Sequence, residues 1–200
     1  TAPVTVNEGE AFGAHNFHAL LAGPDGRLYS SWLGSAPGGG PSLVWLRRSH
    51  DGGRRWFPTQ VLHGEPTCPC CRTALARSAD GTLYAAWRKV FAGDVRDVVV
   101  ARSNDEGATW SAPRRPREDD WVYPGCPHAG PSLRVDSAGS VHIAWWTGKE
   151  NEAGVYYAKS TDRGESFTAL AIATGPRSAP VHVQLALGRA GPIVVWDDGF

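Results

Sequence analysis

Ser49-His50-Asp51-Gly52-Gly53-Arg54-Arg55-Trp56 is one of three copies of a single pattern, Ser-x-Asp-x-Gly-x-x-(Trp/Phe). The others are Ser103-Asn104-Asp105-Glu106-Gly107-Ala108-Thr109-Trp110 and Ser160-Thr161-Asp162-Arg163-Gly164-Glu165-Ser166-Phe167. Their first residues lie 54 and 57 positions apart, a period that points to a repeat architecture. Each copy reads as a turn. The Asp side chain can accept from nearby backbone N–H groups, and Gly tolerates positive φ at the reversal. The closing aromatic offers a large apolar surface, expected to pack against the next repeat.

Working outward, a strand-like run precedes each turn, at 42–48, 97–102 and 154–159, rich in residues that favour strands. Further upstream, Leu20 to Trp32, Leu75 to Trp87 and Leu133 to Trp145 span the same interval, with Gly26, Gly81 and Gly139 each six residues before the Trp. Each interval predicts two strands joined by a Gly turn. A fourth pair is expected at 183–187 and 192–196. Four short strands in about 55 residues suit one propeller blade.

With three copies at this spacing, the chain resembles the Asp-box (BNR repeat) family of sialidase-like β-propellers. The resemblance implies an all-β fold of four-stranded antiparallel blades, six-bladed when complete. Blades are expected at about 12–62, 67–113, 125–172 and, partial, 180–200, or about three and a half of the four to eight that close a propeller. The chain starts without Met and ends just after a second strand. The expectation is a piece of a longer protein, processed or truncated at both ends, whose remainder closes the ring. Alternatively, residues 3–6 are an outer strand of the closing blade.

Charge and hydropathy narrow the function. Net charge is zero, which argues against nucleic acid or a charged membrane surface as partner, and no apolar run is long enough for a membrane span. The partners left are a small molecule, a metal or a glycan. The resemblance implies a secreted or periplasmic location, where the four cysteines have disulfides open to them.

In this family the Asp-box turns lie on one face, and ligand and catalytic sites on the other. That second face is built from blade-to-blade loops, here 63–71, 114–130 and 175–181, and second-to-third-strand loops, here 33–41, 88–96 and 147–153. All four cysteines fall in the blade-to-blade loops. Cys68-Pro69-Cys70 and Cys126-Pro127-His128 share one register in adjacent repeats, matched by Gly13-Ala14-His15 in the first.

Soft sulfur with imidazole suits Zn or Cu(I). The first functional reading is an axial metal or small-ligand site from Cys68, Cys70, Cys71, Cys126 and His128, with His15 or His18 added. The competing reading is a disulfide, for example Cys68 with Cys126, and the two can coexist. Four cysteines allow three connectivities, among which sequence does not choose.

The alternative function is a sialidase-like glycoside hydrolase acting on extracellular glycans. Sialidases hold the sugar carboxylate with three arginines and use a Tyr nucleophile with acidic partners. The family's early Phe/Tyr-Arg-Ile/Leu-Pro motif is absent here, which marks the chain as atypical. Tyr123, Asp119, Asp120 and Arg72 are the catalytic candidates, with Arg88 a second anion-binding or rim arginine.

Overall fold

A computed structural model describes residues 3–7, 15–35, 38–174 and 182–197. The expectations for Gly13-Ala14, for the loop 175–181 and for the extreme ends of the first and fourth blades fall wholly or partly outside these residues. The described chain is all-β. The first sheet takes β1 (His15–Ala22), β2 (Leu28–Ser35), β3 (Ser42–Ser49) and β4 (Gln60–His63) in chain order, all antiparallel. The second holds β5 (Ala74–Arg77), β6 (Leu83–Phe91) and β7 (Val95–Ser103). The third holds β8 (Ser132–Val135), β9 (Val141–Thr147), β10 (Gly154–Ser160) and β11 (Thr168–Thr174). β12 (Gln184–Gly188) and β13 (Gly191–Val195) form a fourth, two-stranded sheet. The first strands β1, β5, β8 and β12 pack side by side in chain order. This is the blade arrangement of a propeller.

Between blades lies the core. Tyr29, Leu33, Val44 and Leu46 of the first blade interlock with Leu75, Leu83, Trp87 and Val99 of the second. Tyr84, Val98 and Val100 meet Leu133, Ile143 and Trp145 across the next seam. Trp146, Val155 and Tyr157 meet Val183 and Leu185 across the third. The closing aromatics join these seams on the side opposite to the one expected. Trp110 of the second blade packs into the cluster shared with the first, and Phe167 of the third into the one shared with the second.

The three turns repeat one hydrogen-bond scheme. Ser49, Ser103 and Ser160 Oγ each donate to the Asp two residues on (3.0, 2.7 and 2.7 Å) and accept from Gly53, Gly107 and Gly164 N (2.9, 2.8 and 2.8 Å). The same Asp oxygens accept from Arg55, Thr109 and Ser166 N. Gly53, Gly107 and Gly164 hold φ of +85°, +87° and +83°, which a Cβ would strain.

Three further expectations need correction. The second blade lacks a continuous fourth strand. Its outer edge is covered at two points, where Arg114 bridges Val100 and Val122 bridges Val95. Pro113 and Pro116 bring no N–H to a ladder, so the chain between the two points loops out. Residues 88–96 are also not a loop. β6 runs to Phe91 and β7 starts at Val95 across a turn at Ala92–Asp94. Arg88, expected in that loop from the sequence, is buried and partnered within the fold. Residues 3–7 carry no strand, although the Val6 carbonyl accepts from Arg47 of β3 at 2.8 Å.

Candidate functional site

The connections into β5 and β8 bring the cysteines together. Cys70 and Cys126 form a disulfide with Cα atoms 6.0 Å apart, across the seam between second and third blades. Cys68 and Cys71 are free and buried. The Cys71 thiol donates to Cys68 Sγ at 3.1 Å, and Cys68 Sγ lies 3.6 Å from Cys70 Sγ. That hydrogen bond, with the charge of nearby Arg88, holds the Cys68 thiol below its usual range, while it and burial push the Cys71 thiol up. Phe17 of β1 and Val90 of β6 close the pocket. The bond therefore joins Cys70 to Cys126, whereas the example pairing had Cys68 with Cys126. Equivalent register put Cys68 opposite Cys126, but the Cys-x-Cys turn leaves Cys70 facing the seam.

Among the described residues, the Cys68, Cys70 and Cys126 sulfurs form the one group of three or more metal-type ligand atoms, all within 4.8 Å of one another. The histidines proposed as ligands stand outside it. His128 is exposed, with φ of +54° and its ring 6.2 Å from Phe17. His15 is half-buried with its ring edge-on to Trp32 at 6.4 Å, and His18 is exposed. β1 carries an irregularity between Asn16 and Ala19, and Phe17 within it has φ of +55°. Bulges of this kind re-aim side chains.

The arginines divide clearly. Arg88 has no exposed surface. It donates to the carbonyls of Ala129 (3.0 Å), Arg96 (2.7 Å) and Trp146 (2.6 Å) and lies over the Trp121 ring at 5.1 Å. It is a latch between second and third blades, with no surface exposed to a ligand or a rim. Arg72, half-buried, precedes β5 and reaches past the third blade to the fourth. With the Gln184 amide turned so that its oxygen faces the guanidinium, both terminal nitrogens of Arg72 donate to it, one at 3.2 Å. Beside Arg72, the inner strands approach so closely that a Cβ on Gly130 would lie 2.3 Å from the Arg72 carbonyl oxygen.

The acidic candidates have structural partners. Asp119 is buried and accepts from Trp145 Nε1 at 2.8 Å and Arg117 at 3.0 Å. Burial raises its pKa against the lowering effect of the Trp145 hydrogen bond. Asp120 is exposed and paired with Arg115 at 2.8 Å. Tyr123 stacks on Trp121, ring centroids 5.0 Å apart. No hydrogen bond joins Tyr123, Asp119, Asp120 and Arg72 to one another. Asp97 was missed as a site organiser. Fully buried, it accepts from Arg115 and from the N–H groups of Asp120 and Trp121, and so fixes this loop. A charge at the head of an apolar run, Asp97-Val98-Val99-Val100, was the available signal.

No protein-family model matches the chain. A sialidase of Micromonospora viridifaciens is 34% identical over 130 residues, which cover 54% of this chain and 20% of that protein. The match thus spans about a fifth of the relative's length. A crystal structure of a protein of unknown function from Dyadobacter fermentans superposes with a TM-score of 0.70 at 14% identity, over 94% of this chain and 63% of that one. The intramolecular trans-sialidase of Ruminococcus gnavus gives 0.58 at 14% identity, over 93% and 38%. An ulvan lyase of polysaccharide lyase family 25 gives 0.60 at 12% identity, over 88% and 43%. The chain has a sialidase-like β-propeller fold.

Proposed function

We propose that the face carrying the interblade connections binds an acidic sugar of an extracellular glycan, with Arg72 as the cation that receives its carboxylate. The observation that carries this reading is the contrast between two arginines. Arg88 spends its guanidinium on three carbonyls, whereas Arg72 at the axis faces only the neutral Gln184 amide and has no carboxylate partner among the described residues. An uncompensated guanidinium matches a carboxylate in geometry and charge. The relationship to a sialidase supports the same chemistry. On this reading the three turns are Asp boxes, and the chain is an atypical member without the Phe/Tyr-Arg-Ile/Leu-Pro motif. The disulfide fits a secreted or periplasmic protein.

Isothermal titration with 3′-sialyllactose and with lactose tests it. Binding of the sialylated sugar alone is expected, weakened at least tenfold in R72A, about the cost of one charged hydrogen bond. Equal affinity of the two sugars, or an unchanged R72A, contradicts it. Turnover of a fluorogenic sialoside would extend the reading to hydrolysis.

A second reading, a soft-metal site, is favoured by the three clustered sulfurs. Cu(I) or Zn(II) is the cation class such ligands take. Elemental analysis of the purified protein with a free-thiol count tests it.

A further inference from the structure

We propose that the metal site is made of sulfur alone, from Cys68, Cys70 and Cys126, and is opened and closed by the Cys70–Cys126 disulfide. The inference rests on the soft-metal reading and names its ligand set and its regulation. A thiophilic ion bonds sulfur at about 2.3 Å, so ligands in trigonal or tetrahedral array lie about 3.8–4 Å apart. Cys68 and Cys70 Sγ stand 3.6 Å apart, and all three sulfurs fall within 4.8 Å. Little backbone movement is therefore needed to place an ion among them. Cys71, whose thiol donates to Cys68 Sγ, orients that ligand from behind. Pro69, at the centre of the Cys-Pro-Cys turn, fixes its own φ and stiffens the bite.

Two of the three ligands are the sulfurs joined in the disulfide. A disulfide sulfur carries no thiolate charge, so the oxidised form keeps Cys68 and its hydrogen-bonded neighbour Cys71, but not the three-sulfur set. Reduction of Cys70–Cys126 by a dithiol consumes two electrons and two protons and yields two thiols. An incoming ion displaces the protons of the three thiols. In reverse, a small-molecule disulfide takes two electrons from Cys70 and Cys126, is itself reduced to two thiols, and the ion leaves to solvent. Cys126 is exposed while Cys68 and Cys71 are buried, so exchange with an external thiol begins at Cys126.

The test compares the purified chain as oxidised and after anaerobic reduction and desalting. Each form is titrated with Cu(I) against a bicinchoninate competitor and with Zn(II) against pyridylazoresorcinol. One equivalent is expected in the reduced form, at least 100-fold tighter than in the oxidised form. Oxidised glutathione is expected to release the ion as the Cys70–Cys126 peptide appears in the mass spectrum. Equal affinity in both forms overturns the gating and leaves a metal site on Cys68 and Cys71. No binding in either form overturns the metal reading itself. The ligand set is checked separately: C70S and C126S should lose the ion, and C71S, H15A, H18A and H128A should keep it. Loss in H128A equal to that in C70S overturns the sulfur-only set. The redox comparison on unsubstituted protein does not depend on any variant folding.

Discussion

Arg88 shows how one side chain can read as function and act as structure. Its guanidinium satisfies carbonyls from the second blade's own hairpin, from the loop before β8 and from β9, so it ties two blades at the level of the site. Truncation would orphan two buried acceptors and a half-buried one at once. R88A is expected to cost at least about 3 kcal/mol in chemical denaturation. R88K should recover little, because an ammonium has no planar fork to span three carbonyls. A loss under about 1 kcal/mol would show that the latch contributes nothing net. Arg72, sixteen residues earlier in the chain and alike in sequence terms, has the opposite environment. Local sequence does not separate the two, because the difference lies in which carbonyls and amides the neighbouring blades bring to each. The cysteine cluster was legible because register alone carried Cys68-Pro69-Cys70 and Cys126-Pro127-His128 to one seam. The pairing of Cys70 with Cys126, and the exclusion of the histidines, depend on side-chain direction, which the irregular backbone at Phe17 and His128 sets.

At the level of elements, the turns were read almost completely from sequence, because Ser, Asp and Gly each act on backbone atoms within four residues. Blade two was read less well. Its outer edge is held by long-range partners, Asp97 with Arg115 and with the Asp120 and Trp121 amides, which periodicity does not reveal. The turns carry a pH signature. Hydrogen bonds from the Thr109 hydroxyl and amide hold the Asp105 carboxyl down at about 2, and Asp162 is lowered by the equivalent Ser166 bonds. Asp136, beside His142, is likewise held at about 2. A carboxylate whose folded pKa lies below its unfolded value of about 3.9 stabilises the fold above that value. The contribution is lost as pH falls through the folded pKa. Thermal stability should therefore decline between pH about 4 and about 2, and D105N should flatten part of that decline while lowering Tm at neutral pH. A D105N profile parallel to the unsubstituted protein would refute the assignment.

For the whole molecule, the repeat decides where chemistry can gather. The first strands pack side by side, and the interblade connections bring Arg72, beside Gln184 of β12, and the sulfur cluster to their ends. A structural likeness at 12–14% identity extends from sialidase-named proteins to an ulvan lyase, so the architecture supports more than one glycan chemistry. The proposed glycan site rests on Arg72, which faces the Gln184 amide and has no carboxylate partner among the described residues. Saturation-transfer NMR on the folded protein, with 3′-sialyllactose and lactose in one sample, tests that claim most directly. Transfer to the sialic acid protons, lost in R72A while the protein's own spectrum stays folded, is the result expected. No transfer from the unsubstituted protein, or transfer that survives R72A, would contradict it.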